Sequence, residues 1–372
     1  MLITLQVKLN PTKEQAQKLL ATMERVNAAC DYVSAIAFKE RKFGQVGLHK
    51  LTYYTVREKF GLSSQMAVRA VGKVVEAYKL DKKIQRSFKP LGAIAFDQRI
   101  LAWRGVEAVS ILTLEGREII PVILGGYQAA RLNRVRGQAD LLYQGGKFYL
   151  CAVIEVSEEP MLEVTEYLGV DLGIVEIASD SDGNSYSGKQ VNTLRAHHAN
   201  IRSKLQAKGT KSAKRLLVKR SLKESRFAKQ ENHRIAKELV RRAKDTCRGI
   251  ALEDLSGIRM RVTVRKAQRR VHHSWAFHQL KTFVQYKAQI VGVPVKLVNP
   301  RNTSRTCSRC GHCEKGNRKS QSIFKCLACG FVANADLNAA KNIGRAAVNQ
   351  PNVSRIFEHF VSTPSQGQSP CL

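Results

Sequence analysis

The sequence predicts a multidomain chain of mixed α/β and β-barrel class, and three observations carry that prediction. Short β-prone segments separated by glycine-containing turns fill residues 94–156. Two later apolar strands, around Asp171 and Glu253, each end in a carboxylate and alternate with long helix-prone stretches. Two Cys-x-x-Cys pairs then stand before a last helix start at about Ala333. The 372 residues suit two or three domains, and at 44% hydrophobic content there is material for real cores.

The elements read off in order. Ile3–Lys8 alternates like a strand and lacks a signal-peptide layout. Asn10-Pro11-Thr12 offers a turn and a cap to a helix from Lys13 to about Phe38, along which Leu19, Leu20, Met23, Val26, Cys30, Val33 and Ala37 recur at helical spacing. Ser63 or Ser64 can cap a second helix with Ala67, Val71, Val74, Val75 and Tyr78 on one stripe. Ala108–Thr113, Ile119–Ile123, Gln138–Tyr143 and Lys147–Val156, divided by Leu114-Glu115-Gly116, Gly125-Gly126 and Gly145-Gly146, read as hairpins of a small antiparallel barrel. Ser157–Pro160 is a linker.

A second region opens near Val164. Tyr167–Gly173 is an apolar strand running into Asp171, and Asp180–Asn184 is a turn. From Asn192 to about Lys244 the chain is cationic and helix-prone, with a break at Lys208–Ser212 that suggests two helices in a hairpin. Arg248–Leu255 is another apolar strand, Trp275, Phe277, Leu280, Phe283, Val284 and Ile290 suggest a buried helix, and Val293–Val298 a further strand. The tail after about Val348 is polar and is expected to be poorly ordered.

Charge bounds the partners. Lys and Arg number 62 against 30 for Asp and Glu, a net charge of +32. A globular chain so far from neutrality repels itself unless a polyanion binds it. Nucleic acid fits, because closely spaced phosphates reward clustered cations by releasing counterions. No apolar run approaches the roughly 18 residues of a spanning helix, and no cationic face is paired with a continuous bulky apolar one, so no membrane partner is expected. Cys30, Cys151 and Cys247 read as buried thiols, and Cys371 lies in the tail.

The other cysteines raise a metal question. Cys307-Ser308-Arg309-Cys310-Gly311 and Cys326-Leu327-Ala328-Cys329-Gly330 are separated by a spacer of 15 residues. Each pair can form a knuckle, with Gly311 and Gly330 suiting its turn, and two knuckles supply four thiolates to one tetrahedral Zn²⁺. Four thiolates close the coordination sphere, so Cys307, Cys310, Cys326 and Cys329 predict a structural zinc ribbon, with His312 and Cys313 as bystanders.

Three carboxylates stand out. Asp171 and Glu253 end apolar strands, the edge at which parallel sheets present reactive groups, and Asp336 sits at a helix start after the ribbon. Gathered together they would repel unless hard cations bridged them. Mg²⁺ prefers oxygen ligands, and two such ions about 4 Å apart suit phosphodiester cleavage. Taken singly each acid is an ordinary turn or surface residue, and Asp254 rivals Glu253.

The motifs together are more specific. Gly169-Val170-Asp171-Leu172-Gly173, Leu252-Glu253-Asp254-Leu255 and Asn334-Ala335-Asp336-Leu337-Asn338-Ala339-Ala340 resemble the three RuvC motifs of the TnpB (OrfB) family, insertion-sequence proteins related to type V CRISPR nucleases. Trp275–Leu280, Tyr286-Lys287-Ala288, Val298–Ser304 and Cys307–Gly311 agree with that family, as do Ser64–Val68 and Ala77-Tyr78-Lys79 nearer the start. The likeness is dense from about Tyr167 to Gly344 and looser before it; Cys313 departs from the pattern. The resemblance implies an RNase H-like RuvC domain with Asp171, Glu253 and Asp336 as ligands of two catalytic Mg²⁺. It implies an N-terminal, WED-like β-barrel with an inserted helical recognition part. The implied guide is a noncoding RNA from the transposon end, and the implied target is double-stranded DNA beside a short transposon-adjacent motif.

The expected organisation is a barrel over 1–160 with helices at about 13–90, the first part of the RuvC domain over 161–306, the ribbon over 307–330, the last RuvC helix over 331–347 and a tail over 348–372. The expected function is RNA-guided DNA cleavage, with pairing supplying most of the specificity and the protein holding the duplex by shape and charge. Arg202, Lys204, Lys208, Lys211, Lys214, Arg215, Lys219 and Arg220 form the densest cationic run and are the candidate nucleic-acid contacts, because acids nearby are too sparse for the i,i+4 pairs of a merely solvated helix. His197-His198 and His272-His273 read as phosphate contacts or surface residues. The expected protein is a prokaryotic, cytoplasmic, nucleoid-associated monomer or weak dimer on RNA. The alternatives are a guided or zinc-ribbon DNA-binding repressor without cleavage, or a compact CRISPR type V effector. A transposase would need a metal-binding HxH pair, which the sequence lacks.

Overall fold

In a computed structural model the protein is described over residues 1–132, 135–220, 223–255 and 277–349. Trp275, the His272-His273 pair, Cys371 and the chain from residue 350 lie outside the described residues. Two compact units divide the chain, one from Met1 to Ser157 and one from Glu158 onward.

The first unit is built on an antiparallel sheet of seven strands: β1 (Leu2–Leu9), β2 (Ile94–Phe96), β3 (Leu101–Arg104), β4 (Ala108–Thr113), β5 (Gly116–Ile123), β6 (Val135–Gln144) and β7 (Lys147–Glu155), in the order β2-β6-β7-β1-β5-β4-β3. Ile3, Leu5, Val7 and Leu9 alternate into the core, as period-two patterning requires. The edge strands β2 and β3 are consecutive in the chain. The five Cα steps from Phe96 to Leu101 reach at most about 18 Å, whereas the edges of a flat sheet of this order would lie about 29 Å apart. The sheet must therefore curl toward closure, as the barrel reading expects.

Between β1 and β2 run three helices, α1 (Lys13–Lys39), α2 (Gln45–Phe60) and α3 (Ser64–Leu80). A capping box of Thr12 and Gln15 starts α1, and Ser63 caps α3. The helix α2 has no counterpart in the sequence reading. Its buried stripe is only Leu48, Thr52 and Val56, and its N-cap, Gly44, makes no side-chain bond. A four-residue helix, α4 (Gly126–Ala129), follows β5.

The second unit holds a mixed sheet of β8 (Tyr167–Asp171), β9 (Glu176–Asp180), β10 (Ser185–Ser187), β11 (Gly249–Glu253) and β12 (Val295–Val298), ordered β10-β9-β8-β11-β12. Strands β8, β11 and β12 are parallel, while β9 runs antiparallel to β8 and β10 to β9. The cationic stretch is helical over α5 (Lys189–Lys208), α6 (Lys211–Arg220) and α7 (Lys223–Asp245), and the expected break falls at Gly209 and Thr210. Helix α8 (Phe277–Ile290) packs against α7. The last helix, α9 (Ala335–Asn349), crosses the parallel strands, where Ala251, Val298, Ile343 and Ala347 form a core with Tyr167 beside them. A two-stranded ribbon, β13 (Ile323–Lys325) and β14 (Val332–Asn334), leads into it. Among the described residues no helix is long and apolar enough to cross a membrane.

Gly169 shows why α9 lies so close to β8. A Cβ there would sit 1.9 Å from the Ala340 carbonyl oxygen and 2.4 Å from the Gly344 nitrogen, so the crossing requires backbone against backbone.

Candidate metal and carboxylate sites

Two parallel strands bring the first two carboxylates together. The register pairs Leu252 with Val170, so the next residues, Glu253 and Asp171, stand level on neighbouring strands. Such neighbours are about 4.8 Å apart and share a face. Asp336 follows from the start of α9, where the Asn334 side chain accepts the Asp336 and Leu337 backbone N–H groups at 2.8 and 3.2 Å and so sets the first turn. Asp254, the rival acid, pairs with Lys281 at 3.4 Å.

The electrostatics agree with convergence. Asp171 is pushed up to about 7, first by burial and then by the charges of Glu253 and Asp336. Glu253 and Asp336 are raised too, in each case first by burial. Arg318, from the segment between the cysteine pairs, pulls all three back; its Nη2 stands 3.7 Å from Asp336 Oδ1. The buried Thr303 donates its hydroxyl to Glu253 Oε1 at 2.5 Å. Glu176, on β9, is raised by burial and by the charge of Asp336, which sets a fourth acid beside the group.

Sequence reasoning missed Arg318, Thr303 and Glu176. Arg318 sits among Lys315 and Lys319 in a chain full of cations, so composition does not single it out. Thr303 lies in the family-like Val298–Ser304 segment, which was the one available signal.

The carboxylates do not close to single-ion spacing. Among the described residues the one group of three or more such side chains gathered tightly enough for one ion is Cys307, Cys310, Cys326 and Cys329, whose sulfurs lie within 4.8 Å of one another. Cys307 and Cys329 are 3.8 Å apart and Cys310 and Cys326 3.6 Å. A tetrahedron with metal–sulfur bonds of about 2.3 Å has edges of about 3.8 Å, so the set fits one metal ion. The knuckles are alike: Gly311 N–H donates to the Cys307 carbonyl and Gly330 N–H to that of Cys326, with φ of +79° and +70° at the two glycines. Backbone N–H groups of Cys329 and Ala328 draw the Cys326 thiol down, while the neighbouring thiols of the set push Cys310 up. Cys313 is outside the set, and His312 pairs with Glu314 at 3.1 Å.

The cationic helices match the reading in part. Arg202, Lys204 and Lys208 on α5 and Lys211, Lys214, Arg215 and Lys219 on α6 are exposed; Arg220 is half-buried. Arg202 reaches across to Glu224 on α7 at 3.2 Å. Beyond that run, α7 does carry ion pairs at helical spacing, Glu231–Arg234, Glu238–Arg241, Glu238–Arg242 and Arg241–Asp245. His198 is buried rather than a surface residue, and Cys247 is exposed although it reads as a buried thiol in the sequence. Cys30 and Cys151 are buried as expected.

Residues 277–343 match the family model described as Cas12f1-like, TNB domain. The chain is 29% identical over 277 residues to the CRISPR-associated endodeoxyribonuclease Cas12f1 of Sulfoacidibacillus thermotolerans, covering 69% of this chain and 62% of that protein. It is 34% identical over 173 residues to a TnpB-like protein of Methanocaldococcus jannaschii, covering 44% of this chain and 62% of that protein. Among solved structures it matches the cryo-EM structure of the Cas12f1-sgRNA-target DNA complex at a TM-score of 0.40 and 17% identity, over 93% of this chain and 100% of that one. The resemblance read from the motifs is borne out: the chain is a sequence relative of the TnpB-like proteins and of the Cas12f1 endodeoxyribonucleases. It spans about 62% of the length of each of the two curated relatives named.

Proposed function

We propose that this protein is an RNA-guided DNA endonuclease that cuts double-stranded DNA beside a short adjacent motif. The observation that carries the reading is the level placement of Asp171 and Glu253 on adjacent parallel strands, with Asp336 at the start of the helix packed across them. The order β10-β9-β8-β11-β12 with β9 reversed supports an RNase H-like, RuvC-type unit. In this reading the chain divides into a WED-like barrel with recognition helices (1–160), the nuclease domain (161–306 and 331–347) and a zinc ribbon (307–330), with the remaining 348–372 as a tail.

Asp171, Glu253 and Asp336 would hold two Mg²⁺. Their hard oxygens suit that ion, and a divalent cation would offset the burial and then the neighbouring negative charges that raise Asp171. Bound there, Mg²⁺ would supply Lewis acidity at the phosphodiester and activate the attacking water. Arg318 places a guanidinium beside Asp336, where it can meet the negative charge of a scissile phosphate. Cys307, Cys310, Cys326 and Cys329 would hold one structural Zn²⁺. The exposed cations of α5 and α6 would follow the phosphates of guide RNA and target by backbone charge, leaving sequence to base pairing. With one such carboxylate triad among the described residues, the two DNA strands would be cut in turn or by a second protomer.

The test is Asp171→Ala with a co-purified guide. Cleavage of matched DNA in Mg²⁺ is expected to fall to background while RNA binding survives. If the unmodified protein binds matched target and never nicks it, a guided binder replaces the nuclease.

A further inference from the structure

Glutamate at a strand end beside two other acids has every electrostatic reason to swing away. Three observations explain why Glu253 does not. Its Oε1 accepts the Thr303 hydroxyl at 2.5 Å, and Thr303 is buried. A hydroxyl has one proton, so the shorter contact to the carboxylate takes it in preference to the Pro300 carbonyl at 3.1 Å. The backbone around Thr303 is in turn held by the helix that carries Asp336. Asn342 Nδ2 donates to the Thr303 carbonyl at 2.9 Å and to that of Thr306 at 2.7 Å. Asn338, fully buried, donates to the Thr306 carbonyl at 2.8 Å and accepts the Ser308 N–H at 2.9 Å.

Asn338 and Asn342 are one helical turn apart on α9, two and six residues beyond Asp336. The connector they grip, 303–308, ends in the first cysteine pair. One frame of hydrogen bonds therefore runs from the helix of Asp336, through two asparagines and the connector backbone, to the oxygen of Glu253.

We infer that Thr303, Asn338 and Asn342 are positioning residues that fix Glu253 relative to Asp336 and so pre-form the divalent-cation site. The inference rests on the nuclease reading and deepens it. Groups that orient a metal ligand from behind typically alter affinity by roughly 10- to 100-fold when removed. Thr303 is the residue to test, because valine keeps its shape while deleting only the hydroxyl. Serine keeps the hydroxyl and deletes only the methyl.

The experiment is Mn²⁺ binding to the full chain, followed by the paramagnetic signal of the free ion, with zinc content as the check that the ribbon is intact. Thr303→Val is expected to weaken Mn²⁺ binding roughly tenfold or more, and Thr303→Ser to restore most of it. Thr303→Ala is a second hydroxyl-free variant in case the valine protein does not fold. Asn342→Leu is expected to shift binding in the same direction by loosening the connector. Val and Ala variants that bind Mn²⁺ like the unmodified chain, or a serine variant as weak as they are, overturn the inference. The parent reading is separated by two controls. Asp171→Ala with an unchanged Mn²⁺ isotherm removes the metal centre, and the inference with it. A chain that binds Mn²⁺ through Thr303 and yet never cleaves loses the nuclease reading alone.

Discussion

Arg318 Nη2 lies 3.7 Å from Asp336 Oδ1, a contact between the segment separating the cysteine pairs and the helix after them. The same guanidinium draws down all three carboxylates and donates to the Gln321 carbonyl at 3.1 Å, so it is held from behind. In the nuclease reading it faces the scissile phosphate. Arg318→Ala is expected to slow single-turnover cleavage by about 10²-fold, the usual effect of removing one charge-stabilising donor. Zinc content and guide binding should be unchanged, and Arg318→Lys should recover part of the rate. An alanine variant that cleaves at the unmodified rate would make Arg318 a bystander.

The Gly169 crossing makes a sharper demand. Alanine there must push the α9 backbone away from β8, because the obstructing atoms are the Ala340 carbonyl and the Gly344 nitrogen. Gly169→Ala is expected to destabilise the second unit at the upper end of the roughly 1–3 kcal/mol that overpacking costs. It should also lower cleavage beyond what lost stability explains, since Asp171 rides on β8 and Asp336 on α9. Chemical denaturation alongside cleavage below the unfolding transition measures both.

Much of this was legible in the sequence because it was written in local patterns. Asp171 and Glu253 could be read as strand ends, since apolar runs of parallel strands stop where polar chemistry starts, and both lie at those ends. The cysteine spacing needed no fold to interpret, and the four sulfurs gather as the spacing implies. Helix α2 was illegible because three buried residues make too narrow a stripe. Arg318 and Thr303 were hidden for another reason. Their roles come from partners 18 and 50 residues away, and nothing in a lone arginine or threonine states its partner.

The ribbon should behave as a metal-dependent support. Cys326→Ser removes a thiolate from the tetrahedral set and is expected to take zinc content from about one ion per chain toward none. Cleavage should be lost as well, because the segment that brings Arg318 to the carboxylates is closed by that set. Excess Mg²⁺ should not restore it, since a hard ion does not replace zinc among thiolates. A Cys326→Ser protein that lacks zinc and still cleaves would uncouple ribbon and carboxylates.

His233 gives the second unit a pH dependence of determinable sign. Its ring stacks on Phe283 at 3.7 Å with 12° between planes, and its Nδ1 lies 3.4 Å from the Tyr286 hydroxyl, so α7 and α8 meet through it. Burial, then the charges of Lys287 and Lys229, lowers its pKa from 6.5 to about 4. The folded chain therefore keeps the imidazole neutral across a range in which the unfolded chain protonates it. Between about pH 6.5 and 4 the unfolded state binds more protons, so stability rises with pH. The contribution is complete above about 6.5 and is lost as the pH falls toward 4. The denaturation midpoint of the second unit should fall more steeply over this window in the unmodified chain than in His233→Gln, which has nothing to titrate. Equal slopes for the two proteins would mean that the ring is protonated in place, and that the α7–α8 contact tolerates the charge.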